Sequence, residues 1–248
     1  MKKPIMILVI ILSAVLLVVA SVMGTLAFLA SSSAVSNTFT YGDVSIDMRE
    51  SAVDENGKDN DGADRTSDGN SYELIPGKTY DKDPAITVKQ GSVPSYLFVK
   101  IKNGISNIEV AGNTTIKAQM IANGWQLIKS NNAGEELYLY VGVGNAVADK
   151  KEAEVNYVAV GSKDEAQTYE LFDTFTISEN APVADYAGAK VTLTAFAIQT
   201  EGFTEVVEGL QGYQRAWNAI VNRFPYESGT VYGDGTINQP EPGTDETT

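Results

Sequence analysis

The stretch Ser95-Tyr96-Leu97-Phe98-Val99-Lys100-Ile101-Lys102 decides the fold class. In an extended chain, successive side chains point to opposite faces. Leu97, Val99 and Ile101 then share one face, and Tyr96, Phe98 and Lys100 share the other. The residues are aromatic, β-branched or long, which suits a pleated surface. Upstream, Gln90-Gly91-Ser92-Val93-Pro94 reads as a turn, and Ala85–Lys89 is a second strand with Ile86 and Val88 on one face. Farther upstream, Val44, Ile46 and Met48 alternate with Asp43, Ser45 and Asp47. Downstream, further strands are expected at Trp125–Ile128, Glu136–Val143, Val155–Val160, Tyr169–Ile177 and Val191–Gln199, separated by Gly, Asn and Asp clusters. Short strands at regular spacing without intervening helices predict an all-β protein, a β-sandwich of the jelly-roll kind.

Thr204–Arg223 breaks this pattern. Val206, Val207, Leu210, Tyr213, Trp217, Ile220 and Val221 recur at three- and four-residue intervals. That period predicts a helix over about 204–223, with Thr204 as N-cap and Trp217 as a core plug beneath it. Gly209 and Gly212 weaken it. Residues 50–70 form a loop dense in acids and glycines, and residues 234–248 read as a disordered acidic tail.

Composition narrows the chemistry. The 248 residues carry 18 Lys+Arg and 32 Asp+Glu, a formal charge of −14, with no His and no Cys. The missing residues exclude disulfides, thiolate nucleophiles, Ser-His-Asp catalysis and zinc sites built on Cys or imidazole. The acidic balance argues against a nucleic-acid partner. Pro76-Gly77-Lys78-Thr79 ends like a phosphate-binding loop, but Tyr72 stands where that motif requires Gly. With 32 acids, a glycosidase-type carboxylate pair can always be nominated, so no catalytic residue and no cofactor is assigned. The acidic loop offers Asp54, Asn56, Asp59, Asp61 and Asp64 as hard oxygen donors of the kind Ca²⁺ prefers. Their spacing does not follow the EF-hand, and a solvated acidic insertion is the plainer reading.

Met1-Lys2-Lys3 followed by an uncharged run from Ile5 to Ala30 has the order of an export signal. Small residues at Thr25 and Ala27 place cleavage between Ala27 and Phe28, with Ser32-Ser33-Ala34 as a second candidate, giving a signal at 1–27 and a domain at 28–233. The run also exceeds the roughly 20 residues that span a bilayer, so a retained anchor is the alternative. Either way the domain is expected outside the cytoplasm, secreted or on the cell surface.

Several segments together carry a resemblance. They are the signal ending Gly24-Thr25-Leu26-Ala27-Phe28-Leu29, the run Ser36–Asp47, Leu74-Ile75-Pro76-Gly77-Lys78-Thr79-Tyr80-Asp81-Lys82-Asp83-Pro84, Ile86–Lys89 with Gly91–Lys100, and Thr194–Phe203 with Trp217 downstream. In order and spacing they resemble the TasA–camelysin family of exported Gram-positive proteins, the alternate-signal-mediated exported type. The resemblance implies processing by a signal peptidase of the endoplasmic-reticulum type, a jelly-roll domain, and fibres in biofilm matrix, each subunit lending an N-terminal strand to its neighbour. Camelysin members are described as metalloproteases, and a chain without His departs from that label. Val35–Met48 is the expected exchanged strand, with Val44, Ile46 and Met48 as its buried face. The partners implied are copies of the chain itself, the signal peptidase and other matrix components. The rival readings are a monomeric surface module holding glycan or Ca²⁺, and a camelysin-like protease.

Overall fold

The computed structural model describes residues 36–59, 65–147 and 155–220. The signal segment, with Ala27 and Phe28, and the acidic tail lie outside the described residues. Among these residues, ten strands run in chain order: β1 (Ser36–Tyr41), β2 (Ile46–Arg49), β3 (Thr79–Asp81), β4 (Ala85–Val88), β5 (Ser95–Asn103), β6 (Trp125–Ser130), β7 (Glu135–Tyr140), β8 (Gln167–Glu170), β9 (Thr174–Thr176) and β10 (Val191–Gln199). Two short helices, α1 (Ile116–Ala122) and α2 (Gly212–Ile220), and a 3-10 turn at Val183–Tyr186 complete the set. The protein is all-β, as its alternation predicts.

The strands form a five-stranded sheet in the order β1-β10-β5-β7-β6, a three-stranded sheet β2-β4-β8 and a two-stranded ribbon β3-β9. All pairs are antiparallel except β1 with β10. β5 and β10 pair along nine residues each, from Val191 opposite Asn103 to Gln199 opposite Ser95. Leu97, Val99 and Ile101 of β5 and Leu193, Ala195 and Ala197 of β10 face one core, shared with Ile46 and Met48 of β2, Ile86 and Val88 of β4, and Tyr80 and Phe175 of the ribbon. The opposite face of the same sheet is also buried. Tyr96, Phe98, Leu137, Leu139, Phe196 and Ile198 pack there with Tyr213, Ala216 and Trp217 of α2.

The expected 204–223 helix begins only at Gly212. Residues 204–211 form a tight hairpin instead, in which Val207 and Leu210 exchange both backbone hydrogen bonds (3.1 and 3.0 Å). The turn between them needs Glu208 and Gly209 at φ of 53° and 80°, and Gly209 makes that cheap. Gly212 is required for a different reason: a Cβ there would lie 1.7 Å from the Phe203 carbonyl oxygen. Trp217 is fully buried between Phe98 and Phe196, at centroid distances of 5.1 and 4.9 Å, in the plug position its spacing predicts.

Three strand expectations need correction. Glu136–Val143 stops at Tyr140, because the chain turns at Gly142 (φ 89°). Tyr169–Ile177 is two strands in different sheets, β8 and β9, parted at Leu171-Phe172-Asp173. Val155–Val160 contributes a single bridge, Val160 opposite Ser95. The sequence reading also passes over α1. Thr115 caps it, its Oγ1 accepting from the Ala118 amide at 3.2 Å, and Ile116 and Met120, one turn apart, face the core.

Replacing Trp217 with Ala removes the centre of the second core. The expected loss is about 3–5 kcal/mol of stability, read as a lowered urea midpoint. A loss below ~1 kcal/mol would mean that α2 does not hold this face closed.

Candidate functional site: an edge strand and a clasped acidic loop

The N-terminal strand sits at an edge. Among the described residues, β1 pairs with β10 alone, Ser36 opposite Leu193 through Tyr41 opposite Ile198. Thr38 and Thr40 are exposed. Four residues, 42–45, join β1 to β2 in the other sheet, and they begin at Gly42 with φ 90°. A Cβ at Gly42 would meet the Gln199 side chain at 2.1 Å. So the described part of the expected strand Val35–Met48, residues 36–48, is two strands broken at a glycine, and Val35 lies outside the described residues. Val44, Ile46 and Met48, the expected exchange face, fill this chain's own first core, with Ile46 and Met48 in register with Val88 and Ile86 of β4.

The acidic loop is fastened to the chain on both of its described sides. Glu50 and Thr66 exchange backbone hydrogen bonds (3.0 and 2.7 Å). The Arg65 guanidinium reaches Asp83 Oδ2 at 2.6 Å and donates to the carbonyls of Arg49 and Asp83. Asp83 also accepts from the amide and hydroxyl of Ser51 (2.7 and 2.9 Å). Lys58 pairs with Asp81 at 2.9 Å, and the Asp59 amide donates to the same carboxylate at 3.0 Å. Residues 50–59 and 65–70 thus follow a defined path, while Asp54, Asn56, Lys58 and Asp59 are exposed to solvent.

Beneath this surface lies a buried charge pair. Lys82 Nζ donates to Glu50 Oε2 at 2.5 Å, and the two side chains are 0% and 4% exposed. The other oxygen, Oε1, accepts from both the amide nitrogen of Asn70 (2.8 Å) and its side-chain Nδ2 (3.0 Å). Asn70 is satisfied in turn: Nδ2 also donates to the Ser51 carbonyl at 2.8 Å, and Oδ1 accepts from the Val53 amide at 3.1 Å. The wall is aromatic. Tyr72, Tyr80 and Phe175 contact one another at centroid distances of 4.9–5.6 Å, and Lys82 Nζ lies 5.8 Å from the Tyr72 ring. Burial pushes the Lys82 amine below its ordinary range, opposed by Glu50.

Of the Ca²⁺ donors, Asp54, Asn56 and Asp59 lie among the described residues. Asp54 Oδ1 accepts from the amides of Asn56 (2.8 Å) and Lys58 (2.9 Å), so this carboxylate closes its own turn. The Lys58 amide is the main reason its carboxyl is held below the usual range. Asn56 Nδ2 points back to the same carboxylate, and Asp59 stands opposite Val53. Asp61 and Asp64 lie outside the described residues. Among the described residues, no three acidic side chains come close enough together to hold a metal ion. Nor is any helix there long and apolar enough to cross a membrane.

A cleft of about 350 Å³ opens between α1 and the β6–β7 hairpin, lined by Glu109, Lys117, Glu135 and Glu136 over Ile101 and Met120. Its carboxylates are engaged in holding neighbours. Glu109 accepts from the Ile116 amide and Asn103, Glu135 from Asn131 and Lys100, and Glu136 from Tyr138 and Lys117. Burial pushes the Glu109 carboxyl up.

Sequence reasoning passed over Glu50, Asn70 and Lys82. A signal was present for two of them: Glu50 is in phase with Val44, Ile46 and Met48, and Lys82 is in phase with Tyr80. Compared with known proteins, the chain matches no family model, no curated protein and no solved structure.

Glu50→Ala strands a buried lysine and should cost about 3–5 kcal/mol. Arg65→Ala, at a half-exposed pair, should cost under ~1 kcal/mol. Urea denaturation of the two variants checks the order. Equal losses would show that the surface contacts, not the buried pair, fasten the loop.

Proposed function

We propose that this chain is an exported structural subunit that joins copies of itself by handing β1 to the β10 edge of a neighbour. The observation that carries the reading is the placement of β1. It is the one parallel strand among the described residues, it is held by a single ladder, and a glycine-led four-residue link ties it to the rest. Withdrawing β1 leaves the edge of β10 with unpaired backbone groups, and such an edge accepts an added strand. The same ladder forms whether β1 comes from its own chain or from a neighbour, so concentration and the link at 42–45 set the balance. Head-to-tail donation does not close, and it yields filaments.

β2 is a poorer donor. Moving it would withdraw Ile46 and Met48 from the core, at roughly 1.5–3 kcal/mol for each side chain. The exchanged unit is therefore Ser36–Tyr41, with Val44, Ile46 and Met48 remaining at home. This reading includes a jelly-roll arrangement of the sheets and removal of residues 1–27 after Ala27, leaving Phe28 at the start of an extracellular subunit. The resemblance to matrix-fibre proteins supports it.

Asn37 and Thr194 are register partners, and the chain has no native cysteine. The double variant Asn37→Cys, Thr194→Cys therefore reports where β1 lies. Neighbouring strands about 4.8 Å apart are within disulfide reach. Oxidation after concentration should give a ladder of covalent multimers on non-reducing gels, with filaments in electron micrographs. Internally cross-linked monomer alone, at every concentration, contradicts the proposal. Ile46→Asp should unfold the subunit rather than merely abolish filaments, because it buries an unpaired charge at home. A folded Ile46→Asp monomer that forms no filaments would return the exchange face to β2.

A further inference from the structure

The proposed assembly makes no use of the buried group Glu50, Asn70 and Lys82, whose composition has a chemical consequence. A primary amine and a carboxamide are held by the two oxygens of one carboxylate, in a site closed to water. Lys82 Nζ is on Oε2, and Asn70 Nδ2 is on Oε1. All three residues are at least nine-tenths buried, at 3%, 8% and 1% exposure for Glu50, Asn70 and Lys82. We propose that Lys82 and Asn70 become joined by an intramolecular isopeptide bond, with Glu50 as the proton-transfer group.

Each part of the reaction has a residue in place. A lysine is a nucleophile only as the neutral amine, and burial of Lys82 beside the Tyr72 ring favours that form. The ammonium proton passes to Glu50, which becomes the neutral acid. The Lys82 Nζ lone pair then attacks Asn70 Cγ, and the carbonyl pair moves onto Oδ1. The Val53 amide already donates to Oδ1, at 3.1 Å, and stabilises the charge that develops there. Glu50 gives its proton to Nδ2 and takes one from the attacking nitrogen. The Cγ–Nδ2 bond breaks, ammonia leaves, and Glu50 ends as the neutral acid bonded to the new amide, later returning its proton to solvent or ammonia. One C–N bond forms and one breaks, with no change of oxidation state, so no further reactant is needed. Holding both groups on one carboxylate supplies the proximity that an uncatalysed amide exchange lacks. The product fastens the end of the acidic loop to the β3–β4 turn covalently, in a chain that has no cysteine to do so.

Intact-mass spectrometry of the purified full chain tests this. The expected mass falls short of the sequence mass, counted from the N-terminus found, by one ammonia. Proteolysis should release a branched peptide joining Lys82 to Asn70. Asn70→Ala and Lys82→Arg should each abolish the branch and the deficit. Glu50→Gln, which keeps the shape, should abolish them too while the circular dichroism spectrum stays that of the parent. The full sequence mass overturns the proposal. So does a deficit that maps to a linear peptide, as a succinimide at Asn70-Ser71 would give. A folded Glu50→Gln chain that still carries the branch overturns the part assigned to Glu50.

Discussion

The antiparallel pairing of β5 with β10 is the interaction on which the rest of the structure depends. It runs for nine residues on each strand and is apolar on both faces. One face closes against β2, β4 and the β3-β9 ribbon, and the other is sealed by α2 through Trp217. Among the described residues, the outer edge of β5 carries β7 and then β6, while the outer edge of β10 carries only β1. A sheet covered on both faces has nowhere to slip, because a shift of one residue would carry each apolar row to the wrong core. The asymmetry of the two edges follows from the same pair. One is built out by a hairpin, and the other is finished by a short strand from the chain's beginning.

The buried Glu50–Lys82 pair sets a second constraint, of a different kind. Taking two charges out of water is costly, and the attraction between them returns that cost only when every remaining hydrogen-bonding site is filled. Asn70 fills Glu50 Oε1, and the loop backbone at Ser51 and Val53 fills Asn70. The group therefore specifies where the acidic loop attaches more than it adds stability. It also explains how a segment with almost no apolar residue keeps a defined path at both described ends.

Much of this was legible in the residues, and the failures have identifiable causes. The period-2 rows of Ser95–Lys102 and Val191–Gln199 announced the central pair, because β-branched and aromatic residues on both faces leave little alternative. Trp217 was legible as a plug from its spacing alone. The helix over 204–223 was over-read because Val206, Val207 and Leu210 have helical spacing, yet Gly209 favours a left-handed turn and Gly212 a close approach to Phe203. α1 escaped because seven residues hold only two buried positions, too few to establish a period. The split between β1 and β2 was hidden because alternation resumes at once after Gly42. Glu50 was passed over as the first residue of an acidic loop and Lys82 as one charge among Asp81 and Asp83, although Glu50 is in phase with Val44, Ile46 and Met48 and Lys82 with Tyr80. A charge at such a position is a sign that its partner is buried beside it.

The central claim is that a rigid pair of strands carries a detachable edge strand. Hydrogen exchange read by mass spectrometry tests it most directly, since it resolves local opening from global unfolding. In dilute protein, amides of 36–41 should exchange through local opening, well ahead of those of 95–103 and 191–199, and should become protected when the protein is concentrated into assemblies. Protection of 36–41 equal to that of β5 and β10 in dilute monomer would contradict the account.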